Sequence, residues 1–296
     1  MMRTIFFLAV LAIAGMSVAW WATAPVRVDA PLFAALEPQI DATAGESVFN
    51  ASGCASCHKP TEAATTDGAP ILSGGKAFAS DFGTFYAPNI SSDPTHGIGA
   101  WTLEQFASAV KHGTSPDGQH YYPAFPYTTY VHMSAADIGN LYAYMQTLPA
   151  SDQPSRTHDV GFPFNIRRSL GGWKMLFVNA NWVRTEAPSV ELERGRYLVE
   201  ALGHCAECHT PRNALGGLDR GQWMRGAPNP SGSGKIPSLH PADLQWSALD
   251  ITAYLTSGFT PEFDTAGGGM VDVIENISKL PETDIQAIAQ YLVTIP

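Results

Sequence analysis

Apolar positions along this 296-residue chain recur chiefly at helical spacing, and the same spacings occur twice. Ile138, Leu141, Tyr142 and Met145 form one 3.6-period stripe, and Ile285, Ile288, Ala289 and Leu292 form a second. Ser134 before the first and Pro281-Glu282-Thr283 before the second supply N-terminal capping chemistry. Upstream, amphipathic segments begin at Trp101 and Trp246. Each meets a glycine twelve residues on, Gly113 and Gly258, suited to a left-handed C-cap. The Gly- and Pro-rich stretches between these segments show no convincing strand alternation, so the pattern predicts an all-α fold.

The repetition extends further. Gly45-Glu-Ser-Val-Phe has its counterpart in Gly195-Arg-Tyr-Leu-Val, and Asp137, Tyr144 and Pro149 are spaced as are Asp284, Tyr291 and Pro296. A fixed order of matching elements predicts a duplicated domain, with copies at 42–150 and 191–296, and two copies are too few for a solenoid. Each copy is small enough that something besides side chains should fill its centre. Residues 151–190 hold Arg167-Arg168 and the apolar run Trp173–Phe177, which predicts an ordered connection packed across the interface.

A third pattern lies at the N-terminus. After Arg3, residues 5–24 are apolar except for Gly15, Ser17 and Thr23, as in an export sequence. Residues 1–25 fit a signal peptide cut after Ser17-Val18-Ala19. They also fit a retained helix across a ~30 Å hydrocarbon core, with Trp20 and Trp21 at the interface. The second reading is favoured, and both place the body of the protein outside the cytoplasm, in the periplasm. A formal net charge of −10 argues against nucleic-acid binding and fits steering toward a basic partner.

The chain's four cysteines all fall in Cys54-Ala-Ser-Cys57-His58 and Cys205-Ala-Glu-Cys208-His209. Cys-x-x-Cys-His is the attachment pattern of c-type haem. Thiols three apart share one face of a helical turn and can bind the two porphyrin vinyl groups, while the next residue's imidazole reaches the iron. A disulfide, a thioredoxin-like pair or a zinc site accounts for the cysteines but leaves the histidine after each pair unexplained. The pattern therefore predicts two covalent haem c groups, with His58 and His209 as proximal ligands.

The sixth ligand decides whether such an iron carries electrons or binds molecules. In the second copy Met270 follows Gly267-Gly-Gly on the segment before the last helix, and Met224 ranks second. In the first copy the corresponding loop carries Phe125, which cannot bind iron. Met133 is the leading candidate there, ahead of His112, His120 and His132, whereas Met145 reads as core.

Five stretches resemble one family: Phe82–Ile90, Gly97–Trp101, Tyr122–Tyr127, Arg194–Leu198 and Gly203–Asn213. From about residue 42 onward the chain is similar to class I dihaem cytochromes c, and specifically to the cytochrome subunits of bacterial membrane-bound quinoprotein alcohol and gluconate dehydrogenases. Those subunits often carry three haem domains, and some have Pro-Ala-Met-Pro-Tyr where this chain has Phe125. The resemblance implies two small helical domains, each wrapped round a haem. It implies an inner-membrane-anchored carrier of single electrons rather than an enzyme. The donor would be a dehydrogenase or quinol-oxidising partner, and the acceptor a terminal oxidase or soluble cytochrome. The alternative is a dihaem enzyme, peroxidase-like or thiosulfate-oxidising, with one exchangeable distal site.

Overall fold

The computed structural model describes residues 2–60, 65–66, 68–230 and 234–295; Met1 and Pro296, used in the sequence comparison above, lie outside them. Helices α1 (Met2–Ala22) and α2 (Ala30–Leu36) precede the first copy. That copy holds α3 (Ala42–Ala51), α4 (Cys54–His58), α5 (Leu103–His112), α6 (Tyr127–Tyr130) and α7 (Ala135–Thr147). Helix α8 (Ser169–Phe177) lies in the connection. The second copy holds α9 (Val190–Tyr197), α10 (Ala206–His209), α11 (Pro241–Leu244), α12 (Ala248–Ser257), α13 (Gly269–Ile277) and α14 (Glu282–Leu292).

Local chemistry sets the ends of these helices. Thr102 with Gln105 and Ser247 with Asp250 close matching capping boxes on α5 and α12, satisfying donors that a helix start leaves free. Gly113 and Gly258 end the same helices at φ 57° and 81°. Ser134 caps α7 by accepting from the Asp137 amide at 3.0 Å. Pro281 stands at the α14 N-cap and makes no such bond, so Glu282 and Asp284 in the first turn meet the helix dipole instead. The predicted stripes are inward: Ile138, Leu141, Met145, Ile285, Ile288, Ala289 and Leu292 are all buried.

The all-α expectation needs one amendment. Among the described residues there are three two-stranded antiparallel ribbons, the longest pairing Ala77–Ser80 with Gly83–Tyr86 so that Phe78 faces Phe85. Strands of two to four residues are too short to reveal an alternating pattern in sequence.

Each copy is built on one helix crossing, α3 over α7 and α9 over α14. Glycine permits both. A Cβ on Gly45 would lie 2.0 Å from the Asn140 carbonyl oxygen, and one on Gly195 would lie 2.1 Å from that of Ala287. The copies then differ by one residue: Gly45 precedes Cys54 by nine positions, Gly195 precedes Cys205 by ten. The extra residue is absorbed by a π-helical turn over Leu198–Leu202. That turn carries the buried Glu200, whose carboxylate accepts from the Val183 and Arg184 amides at 2.6 and 3.1 Å and from the Tyr291 hydroxyl at 2.6 Å. The carboxylate so ties the connection to the second copy.

One apolar core runs through both copies, and the halves dock reciprocally. Helix α13 of the second copy lies on α4 of the first: Asn276 Nδ2 donates to Ser56 Oγ at 2.9 Å, and Asp272 is flanked by Lys59 at 3.4 Å and Lys76 at 3.1 Å. Helix α6 of the first copy meets the second Cys pattern, where Thr128 Oγ1 donates to Glu207 Oε1 at 2.6 Å. Between them His204 contacts Ser52 O at 3.2 Å and packs edge-on against Tyr130. Outside the core, α1 is apolar (mean hydropathy 2.1), long enough to cross a membrane and unburied. Arg168 lies 4.2 Å over the Trp20 ring at its end.

Candidate functional site

The Cys-x-x-Cys-His patterns sit in equivalent surroundings. His58 Nδ1 is 2.8 Å from the Pro88 carbonyl and His209 Nδ1 is 2.8 Å from that of Pro237. A carbonyl accepts only, so Nδ1 carries the proton in each ring and Nε2 presents its lone pair. This is the outer-shell contact that orients a metal-binding imidazole and raises its basicity. The backbone repeats the match. The His58 carbonyl accepts from Gly74 N at 2.7 Å and the His209 carbonyl from Gly226 N at 2.8 Å. Burial lowers the pKa of both imidazoles, partly opposed by the two proline carbonyls. Each is therefore neutral near pH 7, as a metal ligand must be.

All four thiols are unpaired. Burial pushes Cys54 and Cys205 up to about 12, with the neighbouring Cys57 and Cys208 adding to each respectively, and raises Cys57 and Cys208 as well. Such surroundings oppose a thiolate but suit a neutral thioether, so the donor set fits covalent haem. Among the described residues no three His, Cys, Asp or Glu side chains gather as a metal-ion site. Cys208 is among the groups that raise Cys57, which places the two Cys patterns near one another at the docking interface.

The methionines separate by position. Met224 is fully buried, and its carbonyl accepts from Leu239 N at 2.8 Å; in the first copy the Leu72 carbonyl accepts from Ile90 N at 2.9 Å. Met224 thus fills the place of Leu72, on the segment behind the proximal histidine. Met270 is half-buried in the first turn of α13, launched by Gly268 at φ 56°, ψ −139°. Met133 is fully buried at the turn into α7, where Lys111 Nζ donates to its carbonyl at 3.0 Å. Leu280 occupies the matching position before α14. The two candidate sulfurs therefore come from non-equivalent positions.

The other first-copy candidates have separate partners. His120 Nε2 meets the Thr23 carbonyl at 3.0 Å, and His132 stacks on Trp182 with centroids 4.3 Å apart. Met145 is buried in the core. Phe125 packs edge-on among Tyr121, Tyr127 and Tyr130. Pro88 and Pro237, which orient the histidines, were not singled out in the sequence. They lie 30 and 28 residues beyond their histidines, and the unequal spacing hides the correspondence.

Comparison with known proteins identifies the family. The model of the family described as Cytochrome c matches residues 42–149 and 192–296. A protein of Cereibacter sphaeroides described as "Diheme cytochrome c-type" is 52% identical over 98% of this chain and 96% of its own length. The fructose dehydrogenase cytochrome subunit of Gluconobacter japonicus is 39% identical over 85% of the chain and 52% of its own length. The gluconate 2-dehydrogenase cytochrome c subunit of Pantoea cypripedii is 34% identical over 84% of the chain and 58% of its own length. The chain thus spans little more than half the length of these two dehydrogenase subunits.

Proposed function

The chain belongs to the cytochrome c family and carries two haem c groups, and from that premise we propose that it is a membrane-anchored periplasmic carrier of single electrons. When bound, each haem supplies a one-electron iron couple. The protein's part is to anchor, orient and bury it. Cys54 and Cys57 attach the first group, Cys205 and Cys208 the second. His58 and His209 are the proximal ligands, held by Pro88 and Pro237. Met270 is the distal ligand of the second haem and Met133 of the first. Burial of Met133 and the Lys111 clasp on its backbone support the second assignment.

The observation that carries the reading is the matched pair of Cys-x-x-Cys-His sites, each with its histidine Nδ1 2.8 Å from a proline carbonyl and its Nε2 left to bind iron. The domains span 42–150 and 191–296, joined by the ordered connection 151–190 and preceded by the anchor 5–24. Electrons enter from a dehydrogenase or quinol-oxidising partner and leave toward a terminal oxidase or soluble cytochrome; no substrate chemistry occurs on this chain. Cytochrome subunits of sugar and alcohol dehydrogenases among the relatives support a dehydrogenase as donor.

Spectra of the oxidised protein test the assignment. Both haems should be low-spin, with a Met–iron charge-transfer band that Met133→Ala and Met270→Ala each halve. A high-spin fraction with rapid peroxide turnover in the unmodified protein would instead establish the dihaem-enzyme alternative.

A further inference from the structure

The copies share a loop after the C-capping glycine, and its two versions are covered differently. Its hydrogen bonds match one for one. Tyr121 N donates to Gly113 O at 2.8 Å and Ala266 N to Gly258 O at 2.8 Å; Ser115 N donates to Gln119 O and Thr260 N to Asp264 O, both at 2.8 Å. Thr114 bridges to His120 as Phe259 bridges to Thr265. In the first copy the chain's own extended segment 23–28 lies over this loop. Thr114 Oγ1 donates to the Val26 carbonyl at 2.7 Å, Arg27 Nη2 donates to the Pro116 carbonyl at 2.7 Å, and His120 meets the Thr23 carbonyl. Thr114 and His120 are accordingly 0% and 2% exposed.

In the second copy the equivalent positions lie open. Phe259 and Phe263 are 52% and 88% exposed, flanking a cleft of about 440 Å³ also lined by Asp250 and Ala253. Phe263 stands where the first copy has Gly118, and both take left-handed backbone, at φ 63° and 71°. That region disfavours a bulky aromatic, yet Phe263 stays there without burying its ring within the chain. A Cβ on Gly118 would lie 3.9 Å from the Arg27 guanidinium. The Phe263 ring is thus set where, in the first copy, an arginine passes. Glu262 and Asp264 flank it in sequence, and Asp250 lines the same cleft.

We propose that the Phe259–Phe263 loop docks an extended apolar segment bearing an arginine or lysine, presented by the protein that exchanges electrons with the second haem. The first copy supplies the template: Ala24-Pro25-Val26-Arg27-Val28 has that composition and lies on the matching loop. The cation stacks on Phe263, an apolar side chain enters the cleft beside Phe259, and the carboxylates select against an acidic partner. The loop runs into Met270 four residues after Ala266, so docking and the proposed sixth ligand share one segment. The proposal rests on the electron-carrier reading.

The test uses the full-length protein in membranes, as wild type, Phe263→Gly, Phe259→Ser and the distant control Val190→Ser, whose site is also exposed. Phe263→Gly installs the first copy's own residue, so folding is retained. Two probes are applied: a fluorophore-labelled peptide Thr-Ala-Pro-Val-Arg-Val-Asp with its Arg→Glu version, quenched by haem on binding, and haem reduction driven by the membrane's dehydrogenase substrates. Phe263→Gly should weaken the peptide and slow substrate-driven reduction or onward oxidation by at least tenfold each. Reduction by ascorbate with a small mediator, and the Val190→Ser control, should be unchanged. Equal rates in wild type and Phe263→Gly would overturn the docking site. So would peptide binding indifferent to Arg→Glu, or a homodimer abolished by Phe263→Gly. Wild-type haems that ascorbate reduces but no respiratory substrate does would overturn the carrier reading instead, with the peptide still reporting on the loop.

Discussion

Replacing Asp272 by Asn removes the charge that pins the second copy onto the first copy's attachment helix, while keeping the side chain's size. The carboxylate contacts Lys59 at 3.4 Å and Lys76 at 3.1 Å, with side chains 26%, 29% and 39% exposed respectively. At an effective dielectric of about 20 each contact is worth ~5 kcal/mol of gross attraction. Partial exposure, ordering of two lysine chains and residual solvation reduce each to ~0.5–1 kcal/mol net, or ~1–2 kcal/mol together. For a chain of this size that lowers the melting temperature by about 2–3 °C. Thermal unfolding followed at the haem absorbance, at low salt and at about 0.5 M, measures it. The wild-type advantage should shrink at high salt, where screening acts on partly exposed pairs. A Lys76→Met, Asp272→Asn double-mutant cycle should give a coupling of about 0.5–1 kcal/mol. Additive single effects, or a variant melting with the wild type at low salt, would refute the role of Asp272 as the clasp between the halves.

Gly195→Ala drives a methyl into backbone, 2.1 Å from the Ala287 carbonyl. With no flexible side chain to yield, it should cost about 3 kcal/mol or more, and Gly45→Ala the same; denaturant midpoints check both. Glu200→Gln keeps the size of a buried acceptor of three hydrogen bonds but loses its charge. It should destabilise by about 1–3 kcal/mol and loosen residues 183–184 in hydrogen exchange. Lys174 donates to the His112 and Gly113 carbonyls at 2.5 and 2.8 Å, and burial pushes its pKa down to about 7. Between pH 7 and its unfolded value near 10.4, the unfolded chain then binds more protons, so stability from this group rises with pH across that window. Lys174→Met should abolish that slope in chemical denaturation between pH 7 and 9.5.

Local signals were strong where backbone chemistry repeats at fixed spacing. Ile138-to-Met145 and Ile285-to-Leu292 announce the terminal helices because both stripes face one core. Cys54–His58 and Cys205–His209 announce the attachment sites because five adjacent residues carry the whole pattern. What stayed hidden depends on distant segments meeting. Pro88 and Pro237 act through carbonyls, which no side-chain pattern marks. The extra residue between Gly195 and Cys205 was invisible in a gapless alignment and surfaces as a π turn. Asp272 reads as an ordinary acid on an amphipathic helix until α13 is laid on α4. The correspondence of Gly118 with Phe263 emerges once matching hydrogen bonds set the two loops in register. Met270 ranks ahead of Met224 on its Gly-rich approach, and the shared frame of Leu72 and Met224 adds a structural reason for that order.

The reciprocal docking constrains the order of biogenesis. Cys54 and Cys57 lie half-enclosed beneath α13, a helix that is synthesised some 210 residues later. On the proposed assignment, joining porphyrin to both thiols needs room that the closed interface removes. On that assignment, attachment at the first site precedes the folding of the C-terminal half against the N-terminal half. Once α13 closes, the first pair is sealed in whatever state it has reached, so a missed first attachment should be far harder to repair than a missed second one.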